Sequence, residues 1–172
     1  MASINDLFFS QTSYIENLIK KYWVYYNQTV EYKKIIDNAI TPTRGSAAAA
    51  GYDLYVPREV DPISIFPHET KLISIGLAMK IPQGFFGAIF ARSGLATKQG
   101  LRPANCVGVV DSDYRGEIMV ALHNDSDETK TIEAGERIAQ LVLLPFLNIN
   151  FTEVENLDET ERGDGGFGST GK

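Results

Sequence analysis

The rhythm of apolar positions changes near residue 28. Before it, Ile15, Leu18, Ile19, Tyr22 and Tyr26 recur at the spacing of one helical face, with Trp23 beside the stripe. Ser13 and Glu16 stand three residues apart as a capping box would, so one helix is predicted over residues 13–26. From Val30 onward the apolar stretches are short. Pro57, Pro62, Pro67, Pro82, Pro103 and Pro145 interrupt them too often for a helical domain. Ile73, Ile75, Leu77, Met79 and Ile81 alternate with Lys71, Ser74, Gly76 and Lys80, the period of a half-buried strand. The runs 84–90 and 118–122 are apolar throughout and predict more deeply buried strands, and Asn124-Asp125-Ser126-Asp127 predicts a polar turn between strands. Many short strands with frequent breaks predict an all-β sandwich or barrel.

Composition narrows the class. The chain has 172 residues and 44% hydrophobic content, enough for one packed domain. No apolar run approaches the ~18 residues of a membrane span. The net charge of -6 argues against a generic nucleic-acid surface, which would be basic. Cys106 is the only cysteine, so no disulfide can form within the chain and a reducing compartment is expected. No arginine precedes Arg44, and Asp6 and Glu16 lie in that stretch, which does not suit a mitochondrial transit peptide; Leu7-Phe8-Phe9 is too short for a signal core. The expected location is the cytoplasm or another intracellular space, including the nucleus for a eukaryotic or viral chain.

The last eleven residues carry the first chemical signal. Arg162-Gly163-Asp164-Gly165-Gly166-Phe167-Gly168-Ser169-Thr170-Gly171-Lys172 sets five glycines around one aromatic, with an arginine before and two hydroxyls after. Glycines let backbone N–H groups converge on anionic oxygens, Ser169 and Thr170 add donors, Arg162 adds charge, and Phe167 can cover a flat ring. The same composition also fits a flexible tail with too little apolar area to order itself.

Four internal motifs decide between these readings. Ala50-Gly51-Tyr52-Asp53-Leu54-Tyr55, Ala91-Arg92-Ser93-Gly94-Leu95-Ala96, Asn105-Cys106-Val107-Gly108-Val109-Val110-Asp111-Ser112-Asp113-Tyr114-Arg115-Gly116 and Gly135-Glu136-Arg137-Ile138-Ala139-Gln140-Leu141 precede the glycine-rich end. In this order the five segments resemble the motifs of the trimeric deoxyuridine triphosphate nucleotidohydrolases (dUTPases), over roughly residues 28–172. The resemblance implies a distorted jelly-roll barrel, divided here as an extension over 1–27, a barrel domain over 28–158 and a mobile tail over 159–172 that closes the site. It also implies a homotrimer with active sites shared between subunits, Mg2+ as cofactor, and hydrolysis of dUTP to dUMP and pyrophosphate by water attack at the α-phosphorus. Such an enzyme keeps uracil out of DNA and supplies dUMP for thymidylate synthesis.

The resemblance assigns roles residue by residue. Asp111 is the general base, although Asp111-Ser112-Asp113 also suits an ordinary turn; Asp113 receives no role. Tyr114 lies against the sugar and leaves no room for a 2′-hydroxyl, against the plainer reading of an edge tyrosine. Asn105, with the backbone of Gly108 and Val109, reads the uracil edge from a tight hairpin over 105–109, in which Cys106 is a small filler. Arg92, Ser93, Gly94 and Gln140 bind phosphates, with Arg92 alternatively paired to a buried carboxylate. Arg162, Phe167, Gly168, Ser169 and Thr170 close over the nucleotide. Asp53 holds the metal through water, as suits a cation that keeps several waters. Arg137 is structural. The extension must bury its stripe on the oligomer or against a partner of unknown identity; Glu16 and weak basicity speak against a membrane surface. Two rivals are a deoxycytidine triphosphate deaminase of the same fold, disfavoured by Gly94-Leu95-Ala96, and a nucleotide-gated binding protein.

Overall fold

A computed structural model describes residues 28–166. The predicted helix over 13–26 and the tail residues Phe167, Gly168, Ser169 and Thr170 lie outside the described residues. In chain order the elements are β1 (Glu31–Lys34), β2 (Tyr52–Tyr55), β3 (Ile63–Ile65), β4 (Thr70–Lys80), β5 (Phe85–Phe90), α1 (Ser93–Gln99), β6 (Leu101–Pro103), β7 (Gly108–Val110), β8 (Glu117–Asn124), β9 (Lys130–Ile132) and β10 (Arg137–Pro145). One sheet has the order β1-β4-β8-β6, a second β2-β10-β5-β7, and β3 pairs with β9. Every pairing is antiparallel. The architecture is all-β, of the jelly-roll type expected.

One core joins all three sheets. Leu54, Ile65, Ile75, Leu77, Leu122, Ile132 and Ile138 are fully buried within it. The alternation along β4 holds through an irregularity: from Ser74 to Ala78 it advances four residues while β8 advances two, Met119 to Glu117. Two extra residues preserve the in-and-out parity, so Ile73 before the bulge and Met79 after it face the same core.

β8 departs from expectation. Its apolar run predicts burial on both faces, yet burial alternates: Ile118, Val120 and Leu122 are buried while Met119 and Ala121 are only half-buried. Leu72 lies opposite Ala121 and is 62% exposed, so the outer face of this sheet carries an apolar patch. Asn124 ends β8 and is 0% exposed. Its Nδ2 donates to the carbonyls of Ile65, Phe66 and Glu128, and its Oδ1 accepts from the backbone N–H and Oγ of Ser126. The predicted polar turn is therefore organised from inside, by a buried amide that ties β8 to the end of β3.

No periodicity predicts α1, seven residues long, although its stop signal is present. Gly100 adopts φ 70 as a left-handed C-cap, Lys98 stands in the last turn and Pro103 follows shortly after. The strands end at Pro145, short of the boundary drawn at 158. Beyond it, residues 146–166 contain no strand, and Leu147, Ile149, Phe151, Val154 and Leu157 are exposed.

Candidate functional site

The first group of candidates gathers where β2, β10 and the end of β5 run side by side. Gln140 on β10 stands opposite Asp53 on one side and Phe90 on the other. Its amide donates to the Ala91 carbonyl at 2.9 Å, which fixes the direction of the side chain. Gly51 permits this. A Cβ there would collide with Gln140 Oε1 and lie 3.2 Å from its Cδ, so any larger residue would displace the Gln140 amide from this position. Asp53 itself is 9% exposed. Its Oδ1 accepts from Arg92 Nε at 2.8 Å and its Oδ2 from Arg137 Nη1 at 3.2 Å. Arg92 thus has the buried-carboxylate partner left open by the sequence.

Arg92 is also the N-cap of α1, in extended conformation and with no side-chain cap, so Ser93 and Gly94 present the first N–H groups of the helix. A groove of about 390 Å³ runs beside them, lined by Arg92, Gly94, Lys98, Arg137, Glu136 and Tyr55 among others. Three cations against one carboxylate make it a place for an anion. A larger groove of about 470 Å³, lined by Lys34, Asp37, Asn38, Arg58 and Glu59, contains none of the candidates.

The second group surrounds β7. Asn105 lies in the turn before it and Asp111 directly after. The predicted hairpin is instead a crossover: β6 belongs to one sheet and β7 to the other, and the two strands do not pair. The turn is closed by Cys106 N–H to Pro103 O and by Val107 N–H to Asn105 O, with Cys106 at φ 62. Cys106 is exposed at this turn, with its thiol free. Gly108 is buried while Val109 is 62% exposed, and the Asn105 amide nitrogen stands 3.6 Å from where a Gly108 Cβ would lie.

Asp111 is exposed, and no described side chain pairs with its carboxylate. Its carbonyl accepts from Tyr114 N–H, closing a turn that Arg115 braces by donating to the Ser112 and Tyr114 carbonyls at 2.8 Å each. Tyr114 is 45% exposed, and its hydroxyl donates to the Glu117 carbonyl at 2.9 Å. The ring lies across Gly116, where a Cβ would stand 2.6 Å from Tyr114 Cζ. Arg115 belongs to the third motif but received no role from the sequence.

Asp53, Gln140 and Asp111 share the outward face of the β2-β10-β5-β7 sheet, because Leu54, Leu141 and Val110 face the core. They do not meet. Gln140 is level with Phe90, and Val110 with Gly87 two strands away from β10, which puts Asp111 about 16 Å from Gln140. Arg162 folds back on its own segment, donating to the Gly165 carbonyl, and reaches neither group. Among the described residues no three His, Cys, Asp or Glu side chains cluster to hold a metal, and no helix is long and apolar enough to cross a membrane.

A family profile described as dUTPase matches residues 37–171. A deoxyuridine 5'-triphosphate nucleotidohydrolase of Hydrogenobaculum sp. is 45% identical over 139 residues, covering 81% of this chain and 95% of the relative. Another, of Candida albicans, is 48% identical over 133 residues, covering 76% of this chain and 80% of the relative. Among solved structures, a Staphylococcus bacteriophage 80alpha dUTPase with dUPNHPP is similar at a TM-score of 0.76 and 29% identity, covering 85% of this chain and 100% of that one.

Proposed function

This chain belongs to the dUTPase family, and on that premise we propose how its residues hydrolyse dUTP to dUMP and pyrophosphate. The observation that carries the proposal is the arrangement about β7. Its three residues span about 10 Å, roughly a nucleoside's length, with Asn105 at one end and Asp111 and Tyr114 at the other. Uracil is held at the turn over 105–108, where the Asn105 amide and neighbouring backbone groups offer both donors and acceptors. Discrimination by such hydrogen bonds exceeds that of an apolar pocket. Tyr114 lies against the deoxyribose and leaves no partner for a 2′-hydroxyl.

The exposed, unpaired Asp111 carboxylate accepts a proton from water as that water's oxygen bonds to the α-phosphorus. The bond from the α-phosphorus to the bridging oxygen breaks, and the electron pair leaves with pyrophosphate. Arg92, the first N–H groups of α1 at Ser93 and Gly94, and Gln140 receive the leaving group's charge. Mg2+ fits this donor set only as a cation held chiefly by substrate phosphates, with the lone pairs of Asp53 left over from its two arginines meeting the ion's waters. When bound it would neutralise the phosphate charge. Arg162, Phe167, Gly168, Ser169 and Thr170 close over the nucleotide within a tail over 159–172.

The active unit we propose is a homotrimer acting on an intracellular nucleotide pool. Three features support assembly: the 16 Å gap between phosphate and nucleoside groups, the apolar face at Leu72, Met119 and Ala121, and the bare apolar side chains from Leu147 to Leu157. The test of the mechanism is Asp111→Asn. It keeps shape and loses the proton acceptor, so pyrophosphate release should fall ~10²–10⁴-fold while affinity for a non-hydrolysable dUTP analogue stays within a small factor. A variant with most of its turnover intact would remove Asp111 from the role.

A further inference from the structure

Arg137 should be on the wrong side of its strand. β10 runs Arg137, Ile138, Ala139, Gln140, and Gln140 points outward beside Asp53. In an unbroken strand Ile138 would also point outward and Arg137 would enter the core. The register instead slips: Ala139 pairs with Leu54, but Arg137 pairs with Tyr55, leaving Ile138 as an extra residue. Ile138 and Ala139 are consequently both buried, at 1% and 0% exposure, and Arg137 emerges on the Asp53 face. Bulges of this kind re-aim side chains and recur beside active sites.

What the re-aimed arginine touches is specific. Arg137 Nη1 takes Asp53 Oδ2, while Arg92 reaches Oδ1 through its Nε alone. Neither outer nitrogen of Arg92 bonds Asp53; Nη1 makes only a long 3.5 Å contact to the Arg137 carbonyl, and the side chain lines the groove. Without Arg137, Oδ2 would be a scarcely exposed charge without a partner, and the nearest remedy is a rotation that takes both edges of Arg92 in a two-bond fork. That would withdraw the nitrogens from the groove.

We propose that Arg137 is a positioning residue for the triphosphate: by occupying one oxygen of Asp53 it keeps the outer nitrogens of Arg92 available to phosphate. The inference rests on the dUTP-hydrolysing reading and adds to it a residue that need not touch the substrate.

The experiment compares the unmodified 172-residue chain with Arg137→Gln, Arg137→Lys, Asp53→Asn and the Asp53→Asn/Arg137→Gln double variant. Pyrophosphate release gives kcat and KM, calorimetry gives the affinity for dUPNHPP with Mg2+, and thermal melting reports folding. Arg137→Gln should weaken analogue binding and raise KM roughly ten- to hundredfold, with kcat changed much less. Arg137→Lys should recover most of the loss, because one ammonium can still hold Oδ2. In the Asp53→Asn background, with no charge to restrain, Arg137→Gln should add little. Unchanged affinity in Arg137→Gln would overturn the proposal. So would an undiminished effect in the Asp53→Asn background, since Arg137 would then act on phosphate directly, and so would losses that follow melting temperature with no rescue by lysine. If the wild type released no pyrophosphate from dUTP the functional reading would fall, while analogue affinities across the same variants would still judge the pairing.

Discussion

Gly116→Ala places a single methyl group against the Tyr114 ring, which the proposed mechanism sets against the sugar. A Cβ at that position lies 2.6 Å from Tyr114 Cζ and 3.0 Å from Cε2, against the ~3.5–4.0 Å of ordinary carbon contacts. The ring must retreat by roughly an ångström. Its hydroxyl then loses the 2.9 Å bond to the Glu117 carbonyl, worth about 1 kcal/mol at most in a side chain 45% exposed, since water replaces the partner. Overpacking in a tight core costs ~1–3 kcal/mol, but an exposed ring can swing clear, so the stability loss should stay near 1 kcal/mol, or about 2–4 °C in melting temperature. Function should suffer more. Displacement of a positioning group by about 1 Å can cost ~10²-fold, so kcat/KM for dUTP should fall at least tenfold, and the preference for dUTP over UTP should shrink. Pyrophosphate release measured with both nucleotides, beside melting curves, separates the two effects. Tyr114→Phe is the control: it removes the hydroxyl bond without moving the ring and should be nearly silent. A Gly116→Ala enzyme with wild-type kcat/KM and wild-type rejection of UTP would show that the Tyr114 ring position does not matter to the sugar.

Two further outcomes are expected. Asn124→Ala should cost on the order of 3 kcal/mol, because it removes a fully buried amide that bridges the Ile65, Phe66 and Glu128 carbonyls and the Ser126 backbone; urea denaturation should show it, with kcat per folded molecule unchanged. Asp125 is held below its ordinary value of 3.8 by the hydrogen bond from Arg102, with His123 and His68 adding to the effect. A depressed carboxylate stabilises above that value and loses its contribution as pH falls through the folded value. The melting difference between wild type and Arg102→Gln should therefore persist from neutrality to about pH 4 and vanish below it, and be small in 1 M salt.

The strand pattern was legible because parity is a local property. β4 kept its predicted alternation across the irregularity at Ser74–Ala78 since the insertion there is even. The bulge at Ile138 is odd, and no local pattern announces it: simple alternation along this run would turn Arg137 inward, and only the register shift brings it out beside Asp53. The site motifs were legible as a set through family resemblance. The pairing of Arg92 with Asp53 remained one of two options, because residues 39 positions apart are brought together only by the sheet order. The hairpin expected over 105–109 came with the resemblance, and the strands on either side of this turn instead part company. Which sheet each strand joins depends on β8 and β5, and no local pattern records that.

The distance between the two groups of site residues also has a genetic meaning. In the shared-site assembly proposed above, a chain lacking Asp111 and a chain lacking Arg92 would each be inactive alone. Expressed together they would form mixed oligomers in which an intact nucleoside patch from one parent meets an intact phosphate patch from the other. Two null alleles would then restore activity to a cell that neither could support, and lesions confined to one patch would never complement each other. The layout of a single sheet would be visible as a pattern of allelic complementation.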